Sequence, residues 1–121
     1  MSTEAMQAAK IIQPNERKWT PHSRFEGVKR ADLLNRKDDG FGVTMALDYW
    51  SVGAELDRHA HFDCDDIFYI VSGKAKIWIE GIGDVPLVAG SFVKVPKGAS
   101  HQPHSVEEDV LVHHCWYPAN V

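Results

Sequence analysis

The sequence is short of several things, and each shortage removes a class of protein. Cysteine occurs only at Cys64 and Cys115, enough for one bridge but not for a disulfide framework. Long apolar runs are missing. The longest uncharged one, Ile67 to Val71, falls far below the ~20 residues that a spanning helix needs. Glu4 and the lack of a long apolar stretch near it read against a secretory signal. Basic excess is absent too, because 13 Lys and Arg stand against 17 Asp and Glu, a net charge of −4. Non-specific nucleic-acid binding needs a basic surface, so neither nucleic acid nor membrane is an expected partner, and the expected location is the cytoplasm. Repeats and low-complexity tracts are also lacking. What remains, 121 residues with 44% hydrophobic and 25% charged, is the composition of one ordinary globular domain.

Regular helical period is missing after Arg30, and turn signals take its place. Gly and Pro punctuate short runs of branched or alternating apolar residues, the pattern of a sandwich or barrel. Lys37-Asp38-Asp39-Gly40 predicts a hairpin turn ahead of a strand over Val43 to Trp50. Asp66 to Val71 predicts a strand that turns at Ser72-Gly73-Lys74 into a second, with Ala75, Ile77 and Ile79 on one face. Gly81-Ile82-Gly83-Asp84 predicts a further turn, and strands are expected around Val85–Val88, Phe92–Val95, Ser100–Val106 and Asp109–Tyr117. The fold class is therefore all-β, with residues 19–121 as the domain. Residues 1–18 are polar and read as a tail, with a short helical start at Thr3 to Ile12, or as an arm that adds a strand to a partner subunit.

Histidine is what the chain has in plenty: seven, six of them at 59, 61, 101, 104, 113 and 114. It is the commonest metal ligand and the acid–base of neutral pH. In an extended strand His59 and His61 point to one face, at a separation that lets both imidazoles reach one ion. Around this pair the spacing is regular. Gly53, His59-Ala60-His61, Asp66 and Gly73 form one block, and Gly90, Pro96-Lys97-Gly98 and His101 form another.

The two blocks resemble the two signature motifs of the cupin superfamily, Gly-x5-His-x-His-x3–4-Glu-x6-Gly and Gly-x5-Pro-x-Gly-x2-His-x3-Asn. All the fixed positions match except two: Asp66 stands at the glutamate and Ser105 at the asparagine. The resemblance implies a single cupin β-barrel of jelly-roll type, with His59, His61, Asp66 and His101 turned inward onto one divalent transition metal. Asp65 is the second choice for the carboxylate, since it fits the shorter spacing but misses the count to Gly73. Three histidines and a carboxylate lie close to the ligand pattern for non-haem Fe(II), the favoured ion, and are compatible with Mn, Ni or Zn. An anionic substrate group suits the positions left open.

Outside the motifs, His113 and His114 lie in an apolar strand and face opposite sides, so one of them points into the barrel, either as general acid or base or as a hydrogen-bonded core residue. His104 reads as exposed. Tyr49, Phe68 and Trp116 are candidate pocket-lining aromatics, and Cys64 reads as a small buried residue. Some of Trp50, Trp78 and Tyr69 must lie outside the barrel, and apolar surface there would favour a homodimer. The resemblance leaves the reaction open. The first expectation is dioxygenase-type chemistry on a small organic acid or a phenolic or dicarbonyl substrate. The alternatives are a non-redox lyase, isomerase, decarboxylase or polyketide-type cyclase, and a non-catalytic ligand-binding or sensor barrel.

Overall fold

The computed structural model describes residues 9–121. Its strands are β1 (Trp19–Pro21), β2 (Val28–Leu34), β3 (Thr44–Trp50), β4 (Asp65–Ile79), β5 (Gly83–Val88), β6 (Phe92–Val95) and β7 (His101–Tyr117). They pair antiparallel in the order β1-β2-β3-β7-β4-β5, with β6 also on β4. The path does not close on itself. Even so, the inward sides of β2 to β7 share one core that runs from Val28 and Trp50 through Ile70, Ile77 and Leu87 to Val95, Val110 and Val112. Each such side chain, taken out of water, contributes about 1.5–3 kcal/mol. The all-β jelly-roll expectation is met.

Two strands are longer than the sequence pattern implies. β4 runs unbroken through Ser72-Gly73-Lys74, where a turn was expected, and β7 joins the two strands expected around Ser100–Val106 and Asp109–Tyr117. Both carry irregularities in place of turns. In β4 the buried residues are Asp66, Phe68 and Ile70 before Gly73, but Ala75, Ile77 and Ile79 after it. The change from even to odd positions is the signature of a bulge, and the β4–β7 register shifts between Ile70 and Lys76. Gly73 has φ 98°, and a Cβ there would stand 2.1 Å from the Asp109 carbonyl oxygen, so the two backbones approach where only glycine fits. In β7 the matching irregularity is Ser105, at φ 53°.

The expected hairpin turn at Lys37–Gly40 is instead a single helical turn, α1 (Arg36–Asp39). The Asn35 side chain accepts from the Asp38 amide at 2.7 Å, and Gly40 closes the turn at φ 63°. The Asn before the turn wins the local competition, because its oxygen caps a helix better than it serves a two-residue loop. Of the tail, residues 9–12 have no regular structure, a short 3-10 helix covers Pro14–Glu16, and the rest of the helical start expected at Thr3 to Ile12 lies outside the described residues. Lys10 reaches back to Asp39 at 3.0 Å. Among the described residues no helix is long and apolar enough to cross a membrane.

Candidate metal centre

Three elements bring the histidines and the carboxylate together. β4 starts at Asp65, so Asp66 is its first inward residue, and Phe68 and Ile70 follow it on the same face. Asp65 faces outward, accepts from the Lys97 amide at 2.9 Å and sits 3.9 Å from the Lys94 ammonium. β7 opens with His101, of which 1% is exposed. His59 and His61 lie in the loop of residues 51–64 rather than on a sheet strand, which corrects the strand expected for them. That loop is tied to β7 by a single bridge, in which the His59 and His101 amides each donate to the other's carbonyl at 3.0 and 2.8 Å. The Gly98 amide donates to the His61 carbonyl at 2.7 Å, so the bend after Pro96 holds both ligand blocks.

The four ligand atoms lie within 4.8 Å of one another. Around an ion at ~2.1 Å from each ligand, such atoms stand about 3–4 Å apart, so sub-ångström shifts close the cluster. Proton placement also fits. His59 Nδ1 faces the Asp57 carbonyl at 2.9 Å and His101 Nδ1 faces that of Ala99 at 3.2 Å. A carbonyl can only accept, so both rings carry their proton on Nδ1 and turn a bare Nε2 inward. His101 Nε2 is buried without a hydrogen-bond partner and stands 3.3 Å from Asp66 Oδ2. A lone pair facing a carboxylate oxygen at that distance is the arrangement a cation between them relieves. Burial foremost lowers the His59 pKa to about 4, so this ring is ready to donate its lone pair at neutral pH.

Behind Asp66 runs a chain of alternating charge. His114 Nδ1 faces Asp66 Oδ1 at 3.1 Å, and its Nε2 faces Asp48 Oδ2 at 3.3 Å. Arg30 then grips Asp48 with two hydrogen bonds, of 2.6 and 2.9 Å. Burial alone would discharge His114, but the carboxylates on its two sides outweigh that and raise its pKa to about 9. Burial works the other way on Asp66, and the His114 charge overrides it and holds the carboxyl well below the usual range. Burial of Asp48 is likewise outweighed by Arg30 and His114, so that it too stays ionised. With both nitrogens spent on carboxylates, His114 is a positioning residue for Asp66.

The structure separates the other candidates. Of the two neighbouring histidines, His113 lies on the opposite face of β7, cross-strand from Leu47 and Tyr69 and away from the cavity, so His114 is the one that points in. Tyr49 is also on the outside: its hydroxyl donates to Asp109 at 2.7 Å, and Lys29 stands 4.9 Å from its ring, so it is not a pocket residue. Phe68 and Trp116 do line the cavity, together with Trp50, Phe25 and Leu56. Cys64 is buried against Ala46 and Trp116, and both cysteines are free. His104 is half-buried on the outer face and meets Asp84 at 2.7 Å. Sequence reasoning missed Arg30, Asp48 and His22, all in the cavity wall. Asp48 left a signal: an acid between Ala46 and Trp50 on the inward face of an apolar strand is a buried charge in need of partners.

The cavity measures about 130 Å³ and opens over the cluster. Solved structures repeat this architecture. KdgF from a Halomonas species superposes with a TM-score of 0.78 at 22% identity, over 93% of this chain and 96% of that one. The polyketide cyclase RemF from Streptomyces resistomycificus gives 0.80 at 12%, over 90% and 79%. An RmlC-like cupin from Shewanella frigidimarina gives 0.76 at 20%, over 93% and 94%. At these identities the likeness is one of fold alone. In sequence, 48 residues are 38% identical to an uncharacterized protein of Streptomyces coelicolor, covering 40% of this chain and 45% of that protein. The model of the ChrR cupin-like domain matches residues 7–119, nearly the whole length. The chain is a member of the ChrR cupin-like domain family within the cupins.

Proposed function

We propose that this protein is a metal-dependent enzyme of dioxygenase type, acting on a small organic acid or a phenolic or dicarbonyl compound. The ion would be held by His59, His61, Asp66 and His101, with Fe(II) favoured. When bound, such an ion supplies Lewis-acid polarisation of a substrate oxygen and, if ferrous, activation of O₂. One observation carries the choice of reaction. The buried histidine behind the centre, His114, has both nitrogens committed to carboxylates and has no free site to shuttle a substrate proton. His114 is thereby disfavoured as the acid or base, and Phe25, Trp50, Phe68 and Trp116 give the cavity an aromatic lining. The chain's own residues do the rest. Asp66 is kept ionised and aimed by His114, Asp57 and Ala99 orient two imidazoles, and Phe68, Trp50 and Trp116 keep water out.

The non-redox reading, as a lyase, isomerase, decarboxylase or cyclase, draws on His22, a cavity-wall histidine with one ring nitrogen not bonded to the protein among the described residues. Metal analysis by plasma mass spectrometry on untagged protein, with His101→Ala alongside, tests the centre. About one iron per chain in the wild type and none in the variant is expected, followed by oxygen uptake with phenolic and dicarbonyl acids. Zinc, nickel or manganese with no oxygen uptake would move the reading to the non-redox class. No metal after reconstitution would end it.

A further inference from the structure

The cavity mouth holds donors that the metal centre does not use. His22 follows β1, and its amide is pinned to the Val28 carbonyl at 2.9 Å. Its Nδ1 receives the backbone amides of Arg24 and Phe25 at 3.0 and 3.2 Å. An amide can only donate, so Nδ1 carries the lone pair and the ring proton sits on Nε2. This Nε2–H has no partner among the described residues, and the ring is held in place by stacking on Phe25 at 4.6 Å. Arg24, two residues on, also lines the cavity, lies 5.4 Å from the Phe25 ring centroid and meets one carboxylate among the described residues, the exposed Asp57 at 3.7 Å. Arg30 lies across the Trp116 ring at 4.8 Å, with Nε and one Nη bonded to Asp48 and the other Nη without a hydrogen-bond partner among the described residues.

From this placement we infer that His22, Arg24 and Arg30 form a second oxyanion anchor at the mouth. The substrate is then a small molecule with two acidic ends, one at the metal centre and the other on these donors. The inference rests on the metal-centre reading above. A planar fork and a fixed ring N–H suit a carboxylate, since charge-assisted hydrogen bonds are the strong ones. A ligand held at both ends is oriented, whereas one held only by the metal can rotate.

The test uses zinc-loaded full-length protein and calorimetric titration with malonate, succinate and glutarate against acetate, propionate and butyrate. At least one dicarboxylate is expected to bind roughly tenfold or more tightly than the monocarboxylates. His22→Asn keeps an acceptor for the loop amides while removing the Nε2 proton, and Arg24→Gln removes the charge. Each is expected to cut the preference severalfold while zinc content stays at one per chain. Metal-loaded wild type with no preference for dicarboxylates overturns the anchor and leaves the centre standing. A preference that survives both variants overturns it as well. A wild type that holds no zinc brings down the metal reading and this inference together.

Discussion

His113 and His114 are neighbours on one strand, yet they occupy two different media. His114 lies between two buried carboxylates and takes its charge from them. His113, one residue earlier, is half-buried on the outer face beside Leu47 and Tyr69, and burial lowers its pKa. The same side chain is thus pushed toward the charged form on one face and toward the neutral form on the other. Burial alone does not decide the charge of a group. The partners that share its burial decide it.

Breaking the inner member should have the largest effect. His114→Leu leaves the buried Asp66 carboxylate without its cationic partner, while Asp48 keeps Arg30, and is expected to cost about 3–5 kcal/mol in urea unfolding. His113→Gln should stay within about 0.5 kcal/mol. Equal losses from the two would show that the buried charge chain contributes nothing.

A pH series sharpens the contrast. His114 binds its proton up to about pH 9 in the folded metal-free protein, against 6.5 unfolded. The folded state therefore holds more protons across that window. The extra stability is complete below pH 6.5 and drains away as pH rises to about 9, by at most about 1.4 kcal/mol per unit. His59 has the opposite sign: its folded pKa of about 4 means that stability falls as pH drops from 6.5 toward 4. Melting temperature should thus peak near pH 6.5. The alkaline slope should persist in His113→Gln and flatten in His114→Gln. A slope unchanged in His114→Gln would assign it to another group.

The smallest effect belongs to the exposed irregularity within β7. Ser105 stands at φ 53°, a left-handed conformation that asparagine adopts more readily than serine. Ser105→Asn should raise stability by about 0.5 kcal/mol in thermal melts, with metal content untouched. A loss would mean that the contact between Ser105 Oγ and His104 Nδ1, at 2.9 Å, matters more than the backbone.

Much of this was legible in the chain because it is written in spacing. The ligand blocks, and Asp66 rather than Asp65 as the carboxylate, were legible through their resemblance to the cupin motifs, and the boundaries of β6 through its short apolar run between turn residues. The unity of β4 was not legible. A bulge that moves the buried set from Asp66, Phe68 and Ile70 to Ala75, Ile77 and Ile79 reads, in one dimension, like a turn between two strands. Nor was the choice between His113 and His114, since an apolar strand with both faces partly covered hides its inner side. Arg30 and Asp48 were missed because their meaning lies in a pairing across β2 and β3 that no local pattern encodes.

The reciprocal backbone bonds of His59 and His101 carry a kinetic corollary. They join segments far apart in the chain, at the far end of the β4–β7 ladder. Closing such a loop is costly until the strands between have paired. The ligands are therefore expected to come together only after β4 and β7 have paired. A bound ion would act as a latch: it would leave the rate of folding alone and slow the rate of coming apart.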